Sequence, residues 1–203
     1  MPTLNIHTGR GLECIMPNTV PAQISLLAHR TTPSDAVQSL DVQLSLPSPG
    51  LLTLRYNLRA DMSRIRVGPE AVPTSGGRAV RAAELWKHTC FEAFIQPGGS
   101  RGYYEFNFSP TKQWAVYRFS AYREGMTPMD LSYPPEISVH TGADRLELEA
   151  TFLSPISFAT EPRPKLALTA VVEEDGGRLC YWSARHADGK PDFHHPDGFA
   201  LEL

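Results

Sequence analysis

The chain has little that would point to a membrane, a nucleic acid or a redox centre. No apolar stretch approaches the roughly 18 residues that a membrane-spanning helix needs. Lysine and arginine are dispersed, and the 203 residues carry a formal net charge of −3. A phosphate backbone requires clustered cations, so nucleic acid is not an expected partner, and neither is a membrane. Cysteine is scarce: Cys14, Cys90 and Cys180 are odd in number and share no metal or redox spacing. Neither His-x-His nor His-Glu-x-x-His occurs, so no resident metal is expected. The opening "MPTLNIHTGRGLECIMPNTV" has no charged start leading into an apolar run, so no secretory leader is expected. With the odd thiols, this makes a reducing cytoplasm the expected location.

What is present is an ordinary globular balance, 41% hydrophobic and 20% charged residues. The length suffices for a core without staples and for one all-β domain spanning residues 1–203. Period-two alternation dominates. "SLDVQLSL" (Ser39–Leu46) and "LLTLRYNLR" (Leu51–Arg59) flank the turn "PSPG", which predicts a hairpin. Val67–Ala83 is rich in Gly and Pro and predicts a long surface loop, with "RAVRAAELW" able to form a helical turn. Further strands are predicted near Thr89–Ile95, Tyr103–Ser109, Lys112–Phe119, Glu136–His140, Arg145–Phe152 and Lys165–Val172. Leu179–Ala184 and Phe199–Leu203 complete the set, with "PAQISLLAH" as a candidate addition. Such spacing predicts an antiparallel β-sandwich of jelly-roll type.

The three central strands carry the functional signal, because Glu92 interrupts the apolar run "CFEAFI". Side chains alternate between faces. A two-residue turn at Pro110–Thr111 would pair Ser109 with Lys112, Phe106 with Ala115 and Asn107 with Trp114. The same logic sets Phe91 against Phe106 and Glu92 against Glu105. One face then packs Phe91, Ala93, Ile95, Tyr104, Phe106, Phe108, Ala115, Tyr117 and Phe119. The other presents Tyr103, Glu92, Glu105, Asn107, Trp114 and Arg118, joined by Trp86 and His88 if the strand begins early. Two carboxylates facing each other need a cation, a hydrogen-bonding ligand or a raised pKa. Arg118 is the expected counter-charge. A structural ion network under a loop is the plainer reading. The tryptophan and tyrosine faces beside planar polar groups favour a small polar ligand such as a sugar.

"LWKHTCFEAFI", "YYEFNFSP" and "WAVYRF", with the closing "YWSARHADGKPDFHHPDGFALEL", resemble bacterial DOMON-like proteins, relatives of the family 9 carbohydrate-binding modules. The resemblance covers Leu85–Phe119 and Tyr181–Leu203 best. It implies a β-sandwich whose concave face binds a ligand without turnover. It also implies sugar-site roles for a tryptophan and a glutamate at the spacing of Trp86 and Glu92, with Trp182 completing an aromatic clamp.

His194 and His195 are adjacent and should point apart, one of them structural; His186 or His194 could reach the ligand face. No cofactor is expected. Non-covalent haem stands as an alternative, with His88, His140, Met126 and Met129 as the available axial groups, and calcium is open beside the acidic pair. A glycosidase using Glu92 and Glu105 as acid and base is a further alternative, as is an interaction domain working through a sheet edge.

Overall fold

The computed structural model describes residues 21–68 and 78–203, together with the backbone of residues 13–14. Fifteen strands are formed among these residues. The first eight are β1 (Glu13–Cys14), β2 (Ala22–Ala28), β3 (Val37–Ser48), β4 (Leu51–Ala60), β5 (Ile65–Arg66), β6 (Val80–Arg81), β7 (Cys90–Gln96) and β8 (Tyr103–Phe108). The series continues with β9 (Gln113–Phe119), β10 (Thr127–Pro128), β11 (Glu136–Thr141), β12 (Arg145–Leu153), β13 (Lys165–Glu174), β14 (Leu179–Ser183) and β15 (Leu201–Glu202). No α-helix occurs among the described residues; short 3-10 turns punctuate the strands. The middle of the expected 67–83 loop, residues 69–77, lies outside the described residues. Its far flank forms β6, which runs parallel to β9.

The strands make one curled sheet in the order β10-β9-β8-β7-β13-β14-β2-β3-β4-β12-β11. It folds back at a narrow seam where β14 meets β2 through Trp182–Ala28 and Ser183–Leu27. The result is two facing leaves, the β-sandwich that the alternation predicts. Leaf two, β2-β3-β4-β12-β11, alternates cleanly because its outer face meets water. Leu52, Leu54, Tyr56 and Leu58 of β4 point inward, while Arg55 on the outer face bonds Glu149 of β12 at 2.8 Å. Between the leaves, Phe106 meets Phe152 at 4.5 Å and Tyr56 meets Phe91 at 4.9 Å. The Tyr56 hydroxyl donates to the Glu92 carbonyl at 2.8 Å, pinning β4 to β7. Each such buried ring contributes about 2 kcal/mol of transfer free energy.

Leaf one, β10-β9-β8-β7-β13-β14, is covered on both sides. Its outer face forms a second apolar cluster with Phe94, Tyr103, Tyr117, Phe119 and Val171, under Leu85 and the late-chain Phe193 and Phe199. This is why β7 is buried along nearly its whole length and why Glu92 is buried with it.

Register in leaf one departs from expectation at two turns. The Ser109–Gln113 connection has three loop residues, not two: Ser109 N–H donates to the Gln113 carbonyl at 2.8 Å, and Lys112 takes the extra position at φ 60°. This is the three-residue hairpin that ends in a left-handed residue. A one-residue slip turns every following side chain over. Phe106 therefore opposes Val116, and Asn107 opposes Ala115. Trp114 and Val116 point between the leaves, while Ala115, Tyr117 and Phe119 turn outward. Across the glycine-containing loop the slip is two residues, which preserves the faces. Phe91 pairs with Phe108 and Glu92 with Asn107, so Glu105 lies diagonal to Glu92 on the same face.

Candidate functional site

The outer cover of leaf one is incomplete, and the gap is a cleft of about 330 Å³. Its floor crosses the sheet from Phe119 on β9 through Glu105 on β8, Glu92 on β7 and Val171 on β13 to Tyr181 on β14. Trp86 forms part of the wall. It belongs to the 3-10 turn Leu85–Lys87, which Glu84 opens at φ 59°, and it stands edge-on to Tyr117 at 5.4 Å. Arg123 and Met126 come from the segment that follows β9, and Pro191, Phe193 and His194 from the late chain. Tyr181 and Phe193 meet edge-to-face at 5.7 Å.

The polar groups of the floor form two hydrogen-bonded groups, one around Glu105 and one around Glu92. Asn107 Nδ2 donates to Glu105 Oε1 at 2.8 Å, and the Cys90 thiol donates to Asn107 Oδ1 at 3.4 Å. Thr169 Oγ1 donates to Glu92 Oε2 at 3.3 Å. Glu92 Oε1 is buried and has no hydrogen-bond partner. Burial, reinforced by the Glu105 charge, pushes the Glu92 carboxyl well above its ordinary range. Burial also raises Glu105 to about 7, against the opposing pull of Asn107 and Arg123.

A second network holds the rim. Asp192 accepts from Arg123 Nη2 at 2.7 Å, from the Tyr122 hydroxyl at 2.5 Å and from the His194 N–H at 3.1 Å. The Tyr103 oxygen accepts the Arg123 N–H at 3.2 Å and lies 2.8 Å from His194 Nδ1. In the tautomer in which the Tyr103 hydroxyl donates to Nδ1, the imidazole proton resides on Nε2. That nitrogen faces Glu105 Oε2 at 3.9 Å. Burial, with Arg123 nearby, lowers His194 to about 4, so the ring is neutral around pH 7.

Of the residues singled out in the sequence as functional candidates, Trp86, Glu92, Glu105, Met126 and His194 line the cleft. Tyr103 and Asn107 stand directly behind it, orienting His194 and Glu105. The others lie elsewhere. Trp114 and Arg118 are turned to the opposite face by the Lys112 register: Trp114 is buried between the leaves, and Arg118 is exposed and does not reach the carboxylates. Trp182 also packs between the leaves, because the alternation of β14 gives Tyr181 to the cleft instead. His88 is taken by Glu173 at 2.6 Å, beside Arg66. His186 bonds the Leu27 carbonyl at 2.8 Å and packs against His29. His140 lies on β11, in the other leaf. His194 and His195 do point apart: His195 accepts the Asp197 N–H and caps the turn Pro196–Gly198, while His194 enters the cleft.

Missing from that set were Arg123, Tyr181, Phe119 and Phe193. For Tyr181 no sequence signal exists, since "LCYWS" is apolar on both faces. Arg123 and Phe193 were findable in principle as a Tyr-Arg pair and an aromatic beside Gly- and Pro-rich turns.

No protein-family model matches the chain, and neither does any curated protein. Solved structures do share its fold. A candidate carbohydrate-binding protein from Bacteroides uniformis superposes with a TM-score of 0.57 at 15% identity, over 90% of this chain and 85% of that one. A family 9 carbohydrate-binding module from Caldicellulosiruptor kristjanssonii, in complex with cellotriose, gives 0.51 at 11% identity, over 89% and 82%. The likeness is one of fold. Among the described residues, no group of three or more His, Cys, Asp or Glu side chains is placed to hold a metal ion.

Proposed function

We propose that the cleft binds a small saccharide without turning it over, and that the chain is a relative of the family 9 carbohydrate-binding modules. The observation that carries this reading is Glu92 Oε1, a buried oxygen without a partner in a residue that lines the cleft. Such an atom costs roughly 1–3 kcal/mol unless something supplies its missing contact. Trp86, Tyr181 and Phe193 provide apolar surfaces beside it, the combination that suits a ring with apolar CH faces and a polar rim. The volume is at the small end for ligand sites, which favours a short saccharide over a long chain. The shared fold with carbohydrate-binding structures agrees with this reading.

The test is titration calorimetry with glucose, cellotriose and other short saccharides. Trp86→Ala should weaken any binding about tenfold or more by removing a stacking face. Binding that survives the combined loss of Trp86 and Glu92 would place the site elsewhere. Release of new sugar ends, abolished by Glu92→Gln, would replace recognition with hydrolysis.

A further inference from the structure

We infer that the ligand carries a protonated amine, held by Glu92 Oε1 and Glu105 Oε2; within the saccharide reading, on which this inference rests, that ligand is an amino sugar. Both carboxyls line the same cleft from adjacent strands, diagonal to each other and offset by two residues, so one ammonium group can reach both. Glu92 Oε1 has no partner, and His194 Nε2 stands 3.9 Å from Glu105 Oε2, beyond hydrogen-bond distance. Among the described residues neither carboxyl pairs with a lysine or arginine. Arg118 faces the other way, and Arg123, the cation at the rim, is engaged by Asp192.

A neutral hydroxyl could accept or donate one hydrogen bond here but would leave two acids competing for charge. One of them would have to keep its proton. An ammonium has three donors and one positive charge, which matches two oxygens and a shared negative charge. A metal ion would need more ligands than the cleft offers. The amine proposal therefore satisfies the orphan oxygen and the like-charge conflict together.

It also makes binding a proton-linked event. A cation seated between the carboxyls favours their ionised forms, so they must release protons as it binds. The groups around them do not reverse this. His194 is already neutral, and Arg123 and Asp192 hold their charges as a pair. Cys90 lies in the buried floor, Tyr56 between the leaves beneath Glu92, and Tyr103, Tyr117 and Tyr181 flank the floor; all have raised pKa values and stay protonated near neutrality.

The experiment is calorimetry of the full chain with glucosamine, glucose, N-acetylglucosamine and cyclohexylamine, each in two buffers of different ionisation heat. Glucosamine should bind about tenfold or more tightly than glucose or the N-acetyl sugar near neutral pH, with net proton release. Its affinity should rise about tenfold between pH 5.5 and 7. Glu92→Gln, and separately Glu105→Gln as a check against misfolding of the first, should bring the glucosamine-to-glucose ratio towards unity. If glucose binds in a Trp86-dependent way and glucosamine binds no better, the amine inference is overturned and the saccharide reading stands. If cyclohexylamine binds with proton release while no sugar binds, the ammonium site stands and the saccharide reading fails. No binding by any of the four overturns both.

Discussion

Replacing Glu105 by glutamine tests the buried acidic floor without any ligand. The carboxyl sits at about 7 instead of its ordinary 4.5, and the cause is burial. That difference, 7 − 4.5, corresponds to about 3 kcal/mol at roughly 1.36 kcal/mol per pH unit. Below pH 4.5 the acid is protonated in both folded and unfolded chains and costs nothing. As pH rises through 4.5 to 7, the unfolded chain loses its proton first, so the wild type loses stability and levels off above about 7. Glutamine keeps an acceptor for Asn107 and has no charge, so the variant should escape this loss. His194, lowered to about 4, titrates in the opposite sense below 6.5, but it is common to both proteins and cancels in the difference. Loss of the Glu105 charge also eases ionisation of Glu92, which widens the gap above neutrality. Urea unfolding at intervals from pH 5 to 8 should therefore show the variant gaining on the wild type by up to about 3 kcal/mol. In melting temperature this is roughly 6–12 °C for a chain of this size. Parallel curves, differing by less than about 0.5 kcal/mol at every pH, would mean that Glu105 ionises as a solvated carboxyl does, and the argument for a strained floor would fail.

Three further outcomes follow from the packing. Phe106→Ala, which empties the contact with Phe152 between the leaves, should cost about 3–5 kcal/mol in chemical denaturation. Tyr103→Phe leaves His194 Nδ1 and the Arg123 N–H without their partner and should cost about 1–2 kcal/mol, with altered imidazole shifts of His194 by NMR. Lys112→Gly should be neutral or stabilising by up to about 1 kcal/mol, because glycine occupies the left-handed position freely, whereas deleting Lys112 should prevent folding, which circular dichroism would report.

The uneven legibility of the sequence has a physical origin in the two leaves. On leaf two, polar residues alternate with leucines because one side meets water, and β3, β4 and β12 are readable residue by residue. The shared face of Glu92, Glu105 and Asn107 is readable for a related reason: charges interrupt an apolar run, and the two-residue slip at the glycine-containing loop leaves parity intact. Leaf one is apolar on both sides, so a sequence with alanine, tyrosine and phenylalanine on one face of β9 and tryptophan and valine on the other does not say which face is which. That choice rests on Lys112 adopting a backbone conformation that lysine seldom takes, and no pattern of hydrophobicity encodes it. The same ambiguity at β14 exchanges Tyr181 for Trp182. His194 and Arg123 reach the cleft through loop geometry, which strand periodicity does not address.

The lateness of Pro191–His194 along the chain has a consequence for assembly. While the chain emerges from the ribosome, the strands bearing the two acids are complete about eighty residues before Pro191–His194, and water can reach both carboxyls freely. Only when that stretch docks does the floor become dry, so a product shortened before Pro191 is left with both carboxyls open to water and with ordinary acidity.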